Sequence, residues 1–253
     1  MKKIRKAVIP AAGMGTRVLP ATKSMPKEMF PIVDKPAIQY IVEEAVNSGI
    51  EEILIITNRG KGIIEDHFDY SPELEQALLK GGKNEFYDTV TAIPKLANIT
   101  YVRQKETKGL GHAISCAKNF VGDEPFAVLF GDDVIVGEDP ATAQLIRAYE
   151  KYGKGVLGVK EVPKSEIHKY GSLKVDKLEG NVFSCTDMVE KPATEAEVLS
   201  YYSILGRCVL PPEIFAILET VKPGVGGEIQ LTDAMKVLAR TVGMTAVDFT
   251  GVR

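Results

Sequence analysis

A short apolar run, Ala7-Val8-Ile9, ends at Pro10 and opens into Ala11-Ala12-Gly13-Met14-Gly15-Thr16-Arg17. Pro20, Pro26, Pro31 and Pro36 then forbid an α-helix through most of the stretch they punctuate. The chain must pass from a strand into a long glycine-bearing loop, not into the helix that completes an ordinary βα turn. Such a loop exposes backbone N–H groups, which is how α/β proteins receive a phosphate chain. Arg17, Lys23 and Lys27 on the same loop bring more cation than a turn requires. Small residues admit a triphosphate to the backbone and the cations neutralise it, so the segment reads as a nucleotide site.

Two commoner phosphate loops are excluded. A Walker loop needs Gly-x4-Gly-Lys-Ser/Thr, which is absent. A dinucleotide fingerprint needs a third glycine where Val18 stands and a helix immediately afterwards, so a nicotinamide-linked dehydrogenase does not fit. A net charge of −3 gives no electrostatic basis for a nucleic-acid partner. No apolar run is long enough to span a bilayer, and the apolar segment after the basic start is too short for a signal peptide, so no membrane association is expected. Cys116, Cys185 and Cys208 are odd in number and lack Cys-x-x-Cys spacing, which suits a reduced, cytoplasmic setting. His67, His112 and His168 show no metal-ligand spacing and are expected to play structural roles.

With 253 residues and 45% hydrophobic content, the chain can bury one large core. Candidate strands lie at 6–11, 52–57, 99–103, 126–130 and 155–161, alternating with helical patterns at 37–48, 72–80, 111–119 and 141–152. That alternation predicts a mostly parallel sheet covered on both faces. Beyond residue 160 the texture changes. Segments 171–175 and 182–189 read as strands of a hairpin around a polar turn at 176–181, so the sheet becomes mixed. A strand at 203–209 and helices at 211–220 and up to Arg240 come next, the latter with Thr232, Asp233 or the preceding loop as its cap.

Ligands of open α/β sheets bind beyond the carboxyl ends of the strands. Gly131-Asp132-Asp133 follows one such strand, and a carboxylate there beside a phosphate loop points to Mg²⁺. Gln104 follows another, offering both a donor and an acceptor to a pyrimidine edge, while Gly109 and Gly111 would let a base or ribose lie against backbone. Glu190-Lys191-Pro192 follows a third, where a carboxylate can accept sugar hydroxyls and an ammonium can meet a sugar phosphate.

Together, Pro10 to Arg17, Pro26-Lys27-Glu28-Met29, Val33 to Pro36, Gln104 to His112, Gly131-Asp132-Asp133, Glu190-Lys191-Pro192 and Gly227 to Asp233 make the chain resemble the sugar-1-phosphate nucleotidylyltransferases, and among them the bacterial uridylyl-transferring branch. The resemblance covers essentially the whole chain. It implies a Rossmann-like, nucleotide-diphospho-sugar transferase fold and a direct transfer: glucose-1-phosphate attacks the α-phosphate of UTP, giving UDP-glucose and pyrophosphate. It also implies site residues. Ala11, Ala12, Gly13, Gly15 and Glu28 would belong to the nucleotide loop, with Gln104 and Gly109 on uracil. Arg17 would hold the pyrophosphate, Lys27 the transferred phosphate, and Asp132 or Asp133 the Mg²⁺. Gly171 and Glu190 would meet the sugar, and Lys191 its phosphate. Family members continue past a strand at 245–249 into an Asp-x-Gly segment and further helices, whereas this sequence stops at Arg253. The expectation is one domain over 1–253, apparently without its carboxyl-terminal tail, and a homo-oligomer in the full-length form. Thymidylyl or cytidylyl transfer, or a nucleotide-sugar binder without turnover, stand as alternatives.

Overall fold

The computed structural model describes residues 2–253. Eleven strands form: β1 Lys6–Pro10, β2 Pro31–Ile32, β3 Lys35–Pro36, β4 Glu52–Thr57, β5 Asn98–Arg103, β6 Phe126–Leu129, β7 Val156–Glu161, β8 Gly171–Glu179, β9 Val182–Glu190, β10 Tyr202–Leu210 and β11 Met244–Asp248. Nine of them make a single sheet in the order β5-β4-β1-β6-β10-β7-β11-β9-β8, while β2 and β3 pair as a small ribbon. The helices are α1 Ala37–Asn47, α2 Gly62–Phe68, α3 Pro72–Lys80, α4 Asn84–Ala92, α5 Leu110–Ser115, α6 Lys118–Val121, α7 Ala141–Tyr152, α8 Ile214–Leu218 and α9 Leu231–Thr241. Among the described residues no helix is long and apolar enough to cross a membrane.

The strands alternate between two cores, as a period of two demands. Val8, Leu54, Ile56, Phe126 and Val128 pack with residues of α5, α8 and α9 on one face of the sheet. Ala7, Ile9, Ile53, Ile55, Ala127 and Leu129 pack with residues of α1, α2 and α7 on the other. Both faces of the central strands are therefore dry, which explains their nearly unbroken apolar sequences.

The amino-terminal strands β5, β4, β1 and β6 are all parallel, as the alternation predicted. The antiparallel share is larger than the sequence suggested. Strand β10 inserts between β6 and β7 and opposes both, and β9 opposes β11 and β8. Late chain thus completes the middle of the sheet, a long-range pairing that local pattern does not reveal. The hairpin turn is also tighter than expected: β8 runs to Glu179 and only Gly180-Asn181 separate it from β9. Polar Asp176–Glu179 remain strand because two register shifts let them pair at the sheet's edge. The helix expected at 111–119 is two pieces, α5 and α6. Helices α2 and α4 were not foreseen.

After β1 the proline-bearing stretch holds three-residue 3-10 turns at Thr16–Val18, Ala21–Lys23 and Lys27–Met29, then the β2–β3 ribbon, and no α-helix. Gly15 opens the first with φ 68°, and a Cβ there would lie 2.9 Å from Thr22 Cγ2. That glycine is fixed by the turn.

Candidate active site

The carboxyl ends of β1, β4, β5 and β6 lie on one side of the sheet, and the segments after β1, β4 and β5 border a cavity of about 650 Å³. Gly13, Thr22, Lys23, Pro26, Asn58, Arg59, Lys61, Gln104 and Thr107 are among the residues that line it. A second cavity, of about 170 Å³, is lined by Leu110, Phe130, Tyr170, Gly171, Glu190 and Thr232, with others from β10 and α9. Gly13 of the first cavity neighbours Lys27, whose partner Asp132 lies two residues beyond Phe130 of the second.

Beneath the first loop lies a buried ion pair. Lys61 Nζ donates to both carboxylate oxygens of Glu28 at 2.9 Å and also to the carbonyl oxygen of Ala11. Glu28 is 1% and Lys61 5% exposed. Burial pushes the Glu28 carboxyl up and the Lys61 ammonium down, and each partner opposes the other's shift. Asn58 Nδ2 donates to the carbonyl of Ala12. With the two carbonyls satisfied from below, the loop is held in one shape. Glu28 thus supports the loop through Lys61.

Lys27 and Asp132 meet at the edge of the loop, with Nζ 2.5 Å from Oδ2, and a Cβ on Gly13 would lie 3.9 Å from the same Nζ. Asp132 is exposed. Asp133 is not: it is buried, its Oδ1 accepts from Arg253 Nε at 2.5 Å, and its side chain lies over Gly206. A Cβ at Gly206 would come within 2.5 Å of Asp133 Oδ2, which accounts for glycine at φ 65° in that strand. The two adjacent carboxylates are therefore separated by their surroundings, one to the surface beside Lys27 and one to a structural pair.

Arg17 stands exposed on the first 3-10 turn, outside the lining of either cavity. Lys23 and Arg59 line the first cavity and, like Arg17, make no ion pair among the described residues. Cationic charge around the cavity is consequently uncommitted. Gln104 lines the same space, 5% exposed, with its Nε2 3.1 Å from the carbonyl of Gly109 and 2.9 Å from His112 Nδ1. On the Cβ side of Gly109 and Gly111 stand Glu228 and Ile229, whose atoms lie 2.7–2.8 Å from the Cβ positions, so no side chain fits there.

In the second cavity Gly171 and Glu190 are register partners of β8 and β9. Glu190 Oε2 accepts from Thr232 Oγ1 at 2.8 Å and would lie 3.3 Å from a Cβ on Gly171. A side chain at 171 would crowd the carboxylate. Thr232 therefore serves Glu190 and not its own helix, whose first turn has Gln230 at the cap with no side-chain cap bond. Lys191 Nζ lies 3.6 Å from Glu190 Oε1, and its backbone sits at φ 45°, a region costly to a residue with a Cβ. The three cysteines are unpaired, and burial pushes the Cys185 and Cys208 thiols up to about 12, which disfavours the thiolate.

Sequence reading missed Asn58, Arg59, Lys61 and the placement of His112 and Thr232. Asn58 to Lys61 follow the end of β4, the same position that drew attention to Gln104 and Asp132. Treating every strand end alike would have found them. His112 gave no such signal, because its partner is eight residues away.

Against known proteins, residues 6–251 match the model of the nucleotidyl transferase family. A UTP–glucose-1-phosphate uridylyltransferase of Bacillus subtilis (strain 168) is 55% identical over all 253 residues, which span 86% of that protein. A solved UDP-glucose pyrophosphorylase complexed with UDP-glucose superposes with a TM-score of 0.89 at 43% identity, covering 99% of this chain and 92% of that one. A UTP-bound enzyme of the same kind from Acinetobacter baumannii gives a TM-score of 0.90 at 39% identity, covering 98% of this chain and 87% of the other.

Proposed function

The chain belongs to the nucleotidyl transferase family, and we propose that it joins UTP to glucose-1-phosphate, producing UDP-glucose and pyrophosphate. One observation carries the reading in this structure: the nucleotide-sized basic cavity has Gly13 beside Lys27, and that lysine's partner Asp132 lies two residues beyond Phe130 of the smaller cavity built on Glu190. A phosphate oxygen of the sugar attacks the α-phosphorus of UTP. A new oxygen–phosphorus bond forms as the bond to the bridging β-phosphate oxygen breaks, and pyrophosphate leaves with that electron pair. The attacking oxygen is already an anion, so no side chain has to remove a proton. What the protein must supply is alignment and neutralisation of two polyanions.

The side chains divide accordingly. Gln104 meets the base, while Ala11, Ala12 and Gly13 hold the nucleotide through a loop kept in shape by Glu28, Lys61 and Asn58. Lys27 reaches the transferred phosphate, and Lys23, Arg59 and Arg17 supply positive charge for the leaving pyrophosphate. Glu190, oriented by Thr232, accepts glucose hydroxyls, and Lys191 meets the sugar phosphate.

The exposed carboxylate of Asp132 fits a Mg²⁺ site, because that ion takes one or two carboxylates and fills its shell with water and phosphate oxygens. When bound, it would neutralise phosphate oxygens. Unpaired cysteines support a reducing, cytoplasmic location, and self-association belongs to the same reading, testable by light scattering.

The deciding experiment is pyrophosphate release from UTP and glucose-1-phosphate with Mg²⁺, beside dTTP, CTP and EDTA controls. Metal-dependent release with UTP well above the others is expected. Equal release from all three nucleotides, or none from any while UDP-glucose still binds, would overturn the assignment.

A further inference from the structure

The amide of Gln104 is caught between two acceptors. A carbonyl oxygen only accepts, so the amide atom 3.1 Å from Gly109 O must be the one that bears hydrogens. This contact identifies which way round the amide sits and engages one of its two N–H groups. The second N–H then falls to His112 Nδ1 at 2.9 Å, which can receive it only when the ring proton resides on Nε2. Both N–H groups are spent inside the protein. Oε1 is left as the amide atom for a ligand.

Gly109 and His112 occupy one turn at the start of α5, and that turn is clamped from outside. Gly111 N donates to Ile229 O at 2.8 Å and Ile229 N donates to Lys108 O at 2.8 Å. The two acceptors cannot shift independently of each other, so the amide has a rigid mount.

A fixed acceptor reads a ring N–H. Uracil and thymine carry one at N3, whereas cytosine has a bare N3 that would oppose its lone pair to that of Oε1. We infer that His112 is a positioning residue for base choice: by occupying the second amide N–H it holds Gln104 in the orientation that accepts N3–H and rejects cytosine. The inference rests on the uridylyl reading and adds to it the device that excludes CTP.

The test compares kcat/KM for UTP and CTP, at saturating glucose-1-phosphate, in wild type, His112→Phe and His112→Asn. Phenylalanine keeps the ring without an acceptor; asparagine places an oxygen near the position of Nδ1. His112→Leu replaces the phenylalanine variant should the larger ring unfold α5. The UTP-to-CTP ratio should fall about tenfold or more in His112→Phe, mainly through KM, because the freed amide can turn its N–H to cytosine N3. His112→Asn should restore the ratio to within about threefold of wild type. Parallel loss on both nucleotides in a folded His112→Phe would overturn the inference, as would an asparagine variant no more selective than phenylalanine. A wild type that prefers CTP would instead overturn the uridylyl reading, so the two failures are distinguishable.

Discussion

Replacing Lys61 with methionine tests the reasoning about the nucleotide loop most severely. In the native protein its ammonium touches both oxygens of Glu28 at 2.9 Å in a site almost closed to water. At an effective dielectric constant near 20, unit charges that close attract by about 6 kcal/mol. Desolvation of each ion costs several kcal/mol, so the intact pair is worth little net. Removing one partner is different, because the Glu28 carboxylate stays buried without its cation and Ala11 loses a charged donor. The expected cost is about 3–5 kcal/mol near neutral pH. The carboxyl, already pushed up by burial, moves further up without Lys61. The native variant then binds more protons than its unfolded chain, so its stability falls as pH rises through the gap between the unfolded and folded values. Urea unfolding at about pH 5 and about pH 7 should therefore show the larger penalty at the higher pH. Adding Glu28→Gln should recover about half or more of the loss and flatten the pH dependence. A Lys61→Met penalty below about 1 kcal/mol near neutral pH, or one that grows on acidification, would refute the account of this pair.

The adjacent aspartates should behave differently. Asp132→Asn should lower kcat by about a hundredfold or more with little change in melting temperature, since its partner pair is exposed. Asp133→Asn should instead destabilise by about 1–3 kcal/mol in urea melts through loss of the Arg253 contact in a buried position. Thr232→Val should raise KM for glucose-1-phosphate about tenfold while leaving KM for UTP unchanged, read by initial rates, because it releases Glu190. Lys191→Ala and Lys191→Gly should both impair glucose-1-phosphate use more than UTP use. The glycine variant should melt higher, by about 1 kcal/mol of stability, because φ 45° no longer burdens a Cβ.

Much of this arrangement was legible in the chain itself. Pro20, Pro26, Pro31 and Pro36 forced the loop, and the structure has 3-10 turns and a two-residue-strand ribbon there, with no α-helix. The alternation of strand and helix located β4, α3 and α7 at their observed limits. Pairing was not legible. Strand β10 lies beside β6, some eighty residues earlier, because Gly206 admits the Asp133 side chain and Arg207 buries its guanidinium on Glu44 of α1. Neither contact has a local signature. The site shows the same division. Gln104, Asp132 and Glu190 announce themselves as polar residues at strand ends, whereas Lys61, His112 and Thr232 matter through partners distant in sequence or on another element.

The insertion of β10 also bears on how Asp132 and the second cavity are placed. Strands β1 and β6 are parallel, so their carboxyl ends deliver the glycine loop and Asp132 to the same side. Strand β10 runs the other way beside β6, and at that same end of the sheet Gly206 carries Phe130 N at 2.9 Å and receives the Asp133 side chain. Buried Arg207, held by Glu44 Oε2 at 2.6 Å, ties this crossing to α1, while Thr142 of α7 donates to the same carboxylate. A charged group so fully enclosed is a poor source of stability, but it has a narrow set of acceptable geometries. Loss of register at this crossing would move Phe130 and Asp132 together, one the wall of the sugar cavity and the other beside Lys27. On the proposed placement of the substrates, the junction between the parallel and antiparallel halves of the sheet is therefore what holds Phe130 and Asp132 in line.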